Sequence, residues 1–267
     1  MEKLKKTFAD RAQLIAYVGH LAPWANGPAS DFTGGRHQAE QTLKEIDPVQ
    51  YASTRNYGTG KVSRLSPYIH HGILSLNEVR NHALEKCGVP DLAVKFIQEL
   101  AWRDFWQRVL AAHPDWAWND IEPYKTGFKA EDYADCLPDD IAQAETGIAC
   151  IDTFIRELTC TGYIHNHARM YLASYVVHFR RVKWQAGANW FLRHLLDGDL
   201  ASNNFSWQWV ASTFSNKPYI FNLENVERFF KNLVDTSPGQ NKTLDASYEE
   251  LERRLFPHIK PAGERHT

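Results

Sequence analysis

Apolar residues recur along this chain mainly three and four positions apart, and no series of alternating apolar and polar residues with hairpin turns interrupts them. The spacing predicts helices near residues 7–19, 33–46, 66–86, 91–112, 147–160, 165–182, 187–197, 206–214, 222–233 and 246–255. Several ends carry matching punctuation. Pro67 after Ser66 has the form of an N-cap followed by a first-turn proline, Gly88 and Pro90 stop the helix before them, and Asp91 is placed to cap the next. Residues 24–32, rich in Gly, Pro and Asn, and residues 114–138, rich in Asp, Pro and aromatics, break the periodicity without the look of interdomain linkers. A loop over residues 236–245 precedes a final helix, whose run YEELERRL (Tyr248–Leu255) reads as a solvated amphipathic cap on the core. The expectation is an all-α chain forming one helical domain over residues 1–267.

Composition narrows the class. With 43% hydrophobic and 23% charged residues, the chain is neither disordered nor fibrous. A net charge of −2 excludes the global basic field of a tail-driven nucleic-acid binder, leaving only a local basic cleft open. No stretch reaches the ~18 apolar residues of a membrane span, and residues 1–11 are charged without an apolar run, so a cytoplasmic protein off the membrane is expected. Cys87, Cys136, Cys150 and Cys160 form no C-x-x-C pair; they read as reduced core thiols, and no metal site is expected. The nine Trp are unusually many for this length, and core packing accounts for most of them.

Four runs depart from ordinary helix surface. In GYIHNHARM, Asn166, Arg169 and Met170 stand at i, i+3 and i+4 and share a helical face; an Arg there either bridges two helices through a carboxylate or serves a site. Asp197 and Asp199 bracket Gly198 in LLDGDLASNNFSWQW. This is a solvated turn or, given Leu195, Leu196, Leu200 and the Trp residues around it, a pair of buried carboxylates that need partners such as Arg169 or the hydroxyls of a polar cofactor. Ser63, Arg64 and Ser66 in VSRLSPYIHHGILS precede a helix, as a plain cap with a nearby Arg or as an anion site suited to a pyrophosphate. Glu99, Trp102, Arg103 and Trp106 in QELAWRDFW lie on one stripe, where Glu99 and Arg103 can form a surface pair and the indoles can stack an extruded base. Trp184 and Trp207 are either stacked core residues or, indole being oxidisable, stepping stones for an electron.

Taken in order, these runs resemble the photolyase and cryptochrome family, specifically its helical FAD-binding domain, over residues 51–219. The resemblance implies FAD as cofactor. It implies that Tyr51 and the run Ser63, Arg64, Leu65 and Ser66 contact the phosphates and ribityl chain, and that Arg169 and Asp197 form a salt-bridged pair beside the isoalloxazine. Asp199 falls near the ribityl and pyrimidine edge of the flavin, and Asn203 faces flavin N5, where Asn rather than Asp is the photolyase residue. Glu99, Trp102, Arg103, Asn166, Met170 and Trp209 fall where cyclobutane-dimer photolyases touch the flipped lesion, whereas (6-4) photolyases carry His at the positions of Asn166 and Met170.

The implied function is light-driven repair of cyclobutane pyrimidine dimers in DNA. Glu99 and Asn166 would engage the dimer, Asn203 would tune the flavin, and Trp184 and Trp207 would relay electrons. The α/β antenna domain of full-length members is expected to be absent, and single-stranded DNA is the easier substrate because unpairing costs less. A cryptochrome-like blue-light receptor without repair activity is the alternative, against which Asn203, Glu99, Trp102 and Trp209 weigh. Some positions depart from the family pattern: residues 212–221 are shorter than its usual loop, Val62 replaces a Thr, and Phe96 replaces a Trp. No Trp matches the outer member of the family's triad, for which Tyr133 is a substitute donor.

Overall fold

The structure, a computed structural model, describes residues 3–23 and 29–259. Its helices are α1 (Arg11–Leu21), α2 (Arg36–Lys44), α3 (Pro48–Thr54), α4 (Ser66–His70), α5 (Leu76–Cys87), α6 (Pro90–Ala112), α7 (Asp139–Ala142), α8 (Ala149–Thr161), α9 (Asn166–Ser174), α10 (Trp184–His194), α11 (Leu200–Ala211), α12 (Leu223–Phe230) and α13 (Tyr248–Leu255). Among the described residues there is no strand, only an isolated bridge between Ala134 and Val182. The all-α expectation holds.

Local chemistry explains where the elements end and where the sequence reading missed. The predicted helix over 66–86 is two: α4 stops at a turn with Gly72 in the left-handed region, and Ser75 restarts the chain with a capping box to Glu78. Leu65 rather than Ser66 occupies the N-cap position of α4, because the Ser66 hydroxyl is spent on Asp197 instead. Asp91 does not cap α6; Val89 stands at the cap position, and Asp91 only adds negative charge to the first turn. Gly88 closes α5 in the left-handed region as expected. α3 escaped the periodicity because it is one short segment, capped by Asp47 onto the Gln50 N–H.

The predicted 165–182 helix keeps its α form only to Ser174. A π-helical turn, Tyr175–Phe179, follows and buries His178, whose Nε2 lies 2.9 Å from the Val210 carbonyl. α10 begins at Trp184 and α11 at Leu200, so both Trp184 and Asn203 fall inside helices that the spacing had started later. In the 236–245 loop a 3-10 turn, Pro238–Gln240, is the only regular piece, and α13 packs Leu251 and Leu255 inward as a cap. Residues 24–28 of the irregular 24–32 stretch lie outside the described residues.

Two large apolar cores result, with a third small cluster of Leu251, Leu255 and Phe256 at α13. The larger runs from Tyr124 to Leu244 and contains α8, α9, α10 and the inner face of α11. The smaller gathers Ala39, Ile46, Leu65, Tyr68, Leu74, Val79, Ala83 and Phe96. α6 bridges them, packing on α3 and α5 at its start and on α11 further along. A polar seam between the two cores holds Ser66, Arg169 and Asp197 in one contact and Arg103 and Asp199 in another. The cysteines do not fit the expectation of core thiols: only Cys150 is buried, while Cys136 and Cys160 are exposed, though all four are free.

Candidate functional site

Asp197 sits at the centre of the seam. The turn Leu195–Gly198 after α10 carries it down beside α9 and α4, where it is 6% exposed. Its Oδ2 accepts from Arg169 Nη2 at 3.0 Å and from the Ser66 hydroxyl. Burial pushes this carboxyl up, but the Arg169 charge and the hydrogen bonds from Arg169 and Ser66 outweigh that and hold it below the ordinary aspartate value. Oδ1 is buried and has no partner. A buried carboxylate oxygen left bare is costly unless a donor completes it.

Two residues on, Asp199 starts α11. One oxygen caps the helix through the Ser202 N–H, and the other accepts from Gln107 and stands 3.5 Å from Arg103 Nη2, both on α6. The expected Glu99–Arg103 pair does not form. Arg103 turns to Asp199, and Glu99 turns the other way to Lys95 at 2.8 Å and Arg55 at 3.3 Å. The same Glu99 charge adds to burial in pushing the Tyr51 phenol up to about 12; Tyr51 packs edge-on against Phe96 at 5.1 Å.

On α9, Asn166 is exposed and its amide lies 4.0 Å from the Met170 sulfur, while Arg169 turns to Asp197, so of the face expected from the spacing only Asn166 and Met170 meet. Asn203 on α11 donates from Nδ2 to the Ala188 carbonyl and to Asn204 Oδ1, and its own side-chain oxygen has no hydrogen-bond partner among the described residues. Ser63 accepts the Leu65 N–H, and Arg64 holds a left-handed backbone at φ 52°, a costly conformation for a non-glycine residue. Arg64 makes no ion pair among the described residues; its guanidinium lies over the Tyr163 ring at 5.4 Å.

Two cavities flank this run. One of about 270 Å³ is lined by Val62, Arg64, Glu157, Tyr163 and His165, among others. A smaller one of about 120 Å³ is lined by Asp47, Lys61, Ser63 and Arg64, among others. Asp197, Asp199 and Asn203 line neither: Asp197 is held by Arg169 and Ser66, Asp199 by Gln107 and Arg103 on α6, and Asn203 by Ala188 and Asn204. Burial raises the Glu157 carboxyl and depresses His165 to about 4, so the larger cavity is walled by groups that resist charging.

A run of aromatic rings crosses from α6 to α11. Trp102 stacks on Trp106 at 5.6 Å, and Trp106 stacks on Phe205 at 5.5 Å. Trp209 stands one turn beyond Phe205, and Trp102 and Trp209 remain 47% and 42% exposed. Phe105, which the sequence reading passed over, is exposed beside them; its place one residue from Trp106 in QELAWRDFW was the available signal. Gln107, also passed over, carried no sequence signal as a partner for Asp199, ninety-two positions away.

Comparison with known proteins identifies the family to which this helical fold belongs. The sequence model described as "FAD binding domain of DNA photolyase" matches residues 96–237. The deoxyribodipyrimidine photo-lyase of Streptomyces griseus is 36% identical over 196 residues, covering 72% of this chain and 37% of that protein. Its counterpart from Vibrio cholerae is 31% identical over 233 residues, covering 79% of this chain and 45% of that protein. The chain thus spans less than half the length of these curated relatives. Among solved structures, a bacterial class III photolyase from Agrobacterium tumefaciens superposes with a TM-score of 0.63 at 25% identity, over 89% of this chain and 50% of that one. An archaeal photolyase from Sulfolobus tokodaii, solved with two FAD molecules, gives 0.62 at 28% identity, over 79% and 48%. With the match to the family's sequence model covering more than half of the chain and the helical fold shared, this chain belongs to the family of FAD-binding domains of DNA photolyase.

Proposed function

We propose that this chain holds FAD in the seam between its two cores and uses light to split cyclobutane pyrimidine dimers in DNA. The flavin supplies light absorption and electron transfer; the protein supplies binding, orientation and electrostatics. The fit to FAD rests on two features. Asp197 Oδ1 is a buried acceptor awaiting a donor, and the Ser63–Ser66 run offers hydroxyls and the uncommitted Arg64 guanidinium beside open space suited to a pyrophosphate. On this reading Tyr51, Ser63, Arg64, Leu65 and Ser66 hold the phosphate and ribityl portion. Arg169 and Asp197 orient the ring, Asp199 takes the sugar-side hydroxyls, and the Asn203 carbonyl meets the ring edge.

The observation that carries the DNA part is the exposure of two indoles, Trp102 and Trp209, on the packed helices α6 and α11 that the Arg103–Asp199 contact also joins. Large apolar rings left in water on adjoining elements are costly to a lone protein and suit the stacking of a base taken out of its helix. On this reading Arg103, Asn166 and Met170 would border the dimer, and Glu99, held by Arg55 and Lys95, would supply a fixed acceptor at its edge. Single-stranded DNA is the favoured form, since no base pair has to be broken before the dimer enters. The test is loss of a thymine dimer from an oligonucleotide, single-stranded and duplex, incubated with FAD-loaded, reduced protein under blue light. Loss of dimer in the light and none in the dark supports the reading, and intact dimer in both strand forms under strong light overturns it.

A further inference from the structure

We propose that Trp118 is the outermost member of an electron path running from Trp207 through Trp184 to solvent, with the Asp120 carboxylate drawing positive charge onto Trp184. The proposal rests on the FAD reading above, and it departs from the sequence expectation that Tyr133 is the outer donor. Trp118 ends the 3-10 turn Pro114–Ala117, and its ring lies parallel to that of Trp184, with centroids 6.5 Å apart and planes within 8°. Trp184 is wholly buried, whereas Trp118 is 41% exposed. The stacked pair therefore connects the core to water in one step.

The inner end is fixed as tightly. Trp207 lies four residues after Asn203 on α11, and its ring presses on Gly187, one turn after Trp184 on α10; a Cβ at Gly187 would come within 2.3 Å of that ring. The Trp207 ring thus meets α10 one turn from Trp184, and the Trp184–Trp118 stack continues the track to the surface.

Their surroundings give the track a direction. The Trp207 Nε1 is buried without a partner, so nothing there stabilises an indole that has lost an electron. The Trp184 Nε1 donates to Asp120 Oδ1 at 2.6 Å, and Gln185 holds the same oxygen at 3.0 Å. A carboxylate on the indole N–H favours the oxidised ring by direct attraction in a site of low dielectric. Trp118 then offers bulk water to solvate the charge and to take the indole proton. Positive charge moves outward along this gradient, and electrons move inward.

Tyr133 is placed for none of this. It is 3% exposed, its hydroxyl is shared with Thr126 at 2.7 Å, and its ring stacks on Tyr124 at 4.3 Å. A phenol surrenders an electron readily only as its proton leaves, and Thr126 is no base. Burial pushes the Tyr133 phenol up, and the Arg181 guanidinium, 5.9 Å from the ring centre, opposes further positive charge.

The balance is simple. An electron leaving Trp207 for the flavin is replaced from Trp184 and then from Trp118, and Trp118 releases its N–H proton to water. A thiol in solution restores one electron and one proton to Trp118 and ends as half of a disulfide. The experiment follows flavin photoreduction in the FAD-loaded chain with dithiothreitol under blue light, for wild type, Trp118→Phe, Asp120→Asn and Tyr133→Phe. Trp118→Phe is expected to slow photoreduction by about tenfold or more, Asp120→Asn to slow it less, and Tyr133→Phe to stay within about twofold of wild type. Near-ultraviolet circular dichroism of the flavin-free chain should show a couplet from the stacked indoles that Trp118→Phe removes. Photoreduction of Trp118→Phe at the wild-type rate, or loss of it in Tyr133→Phe alone, overturns the proposal. A chain that takes up no FAD overturns the proposal together with the function it rests on.

Discussion

Arg169 reaches the carboxylate of Asp197 at 3.0 Å, and it uses only one of the two oxygens; the second is buried and bare. An ion pair that served only to tie α9 to the following turn would gain by engaging both. Leaving one acceptor open inside the protein is a cost that a bound donor removes. Asp197 therefore stands between a structural role, through Arg169 and Ser66, and a binding role, through Oδ1.

Replacing Asp197 by Asn separates the two. The shape is kept, but Arg169, with its side chain 22% exposed, loses its counter-charge. The flavin-free chain should lose about 1–3 kcal/mol in denaturant unfolding, less than for a fully buried pair because water still reaches Arg169. Flavin content of the purified protein should fall by a larger factor than that stability loss explains. Equal flavin content in Asp197→Asn and wild type would remove Asp197 from the binding site.

Acid should destabilise the fold before its carboxylates alone would. His165 and His178 are both depressed to about 4, by burial first, with neighbouring charge adding to it: His167, Arg169 and Arg64 around His165, and Arg181 near His178. Backbone carbonyls oppose this at each ring, that of Arg55 for His165 and that of Val210 for His178. The sign follows directly. Below the ordinary histidine value of 6.5 the unfolded chain takes up protons that the folded chain refuses until about pH 4, so stability falls as pH drops through this window. The two together amount to a few kcal/mol, on the order expected for shifts of this size. Urea midpoints measured from pH 7 to pH 4.5 should decline, and His178→Asn should flatten that slope while lowering the midpoint at pH 7.

Much of this site could be seen in the sequence because its members come in local runs. Asn166, Arg169 and Met170 share a face by helical spacing alone, and the Asp197–Asp199 turn was marked by carboxylates among apolar residues. Pairings across long separations could not be seen. Glu99 and Arg103 look like partners at i and i+4, yet Arg55 and Asp199, brought in from other elements, take them apart. Ser66 looks like a cap because the local pattern has no way to show Asp197, 131 residues away, claiming its hydroxyl. Trp118 carries no sequence signal of its own, since the parallel stack on Trp184 depends on how the 3-10 turn meets α10.

Gly187 is a position where backbone and ring leave no space. An added methyl would fall 2.3 Å from Cη2 and Cζ3 of Trp207, both in a rigid ring packed edge-to-face on Phe191 at 4.9 Å. Gly187→Ala should cost about 1–3 kcal/mol of stability, the usual range for overpacking a filled core, despite the better helix propensity of Ala. Combining it with Trp207→Phe should cost less than the sum of the two single changes, because the smaller ring vacates the space the methyl needs. Additive losses in a double-mutant cycle would place the strain elsewhere.

The exposed indoles offer the sharpest separation of folding from binding. Trp102 packs on Phe105 and Trp106, and Trp209 on Tyr219 at 5.8 Å, and both are open to water on one side. Trp102→Ala and Trp209→Ala should each cost about 1–3 kcal/mol of unfolding stability, less than a core Trp, since roughly half of each indole is exposed. If the rings receive a flipped dimer, each change should weaken binding to a dimer-containing oligonucleotide by about 1–3 kcal/mol, the stacking contribution of one base. Binding to undamaged DNA should change little, because that term comes from phosphate contacts and falls with salt in both variants alike. Fluorescence anisotropy with damaged and undamaged oligonucleotides at two salt concentrations measures all of these together. A loss of affinity equal for both oligonucleotides would make the indoles part of a general nucleic-acid surface and would remove the main support for a lesion pocket.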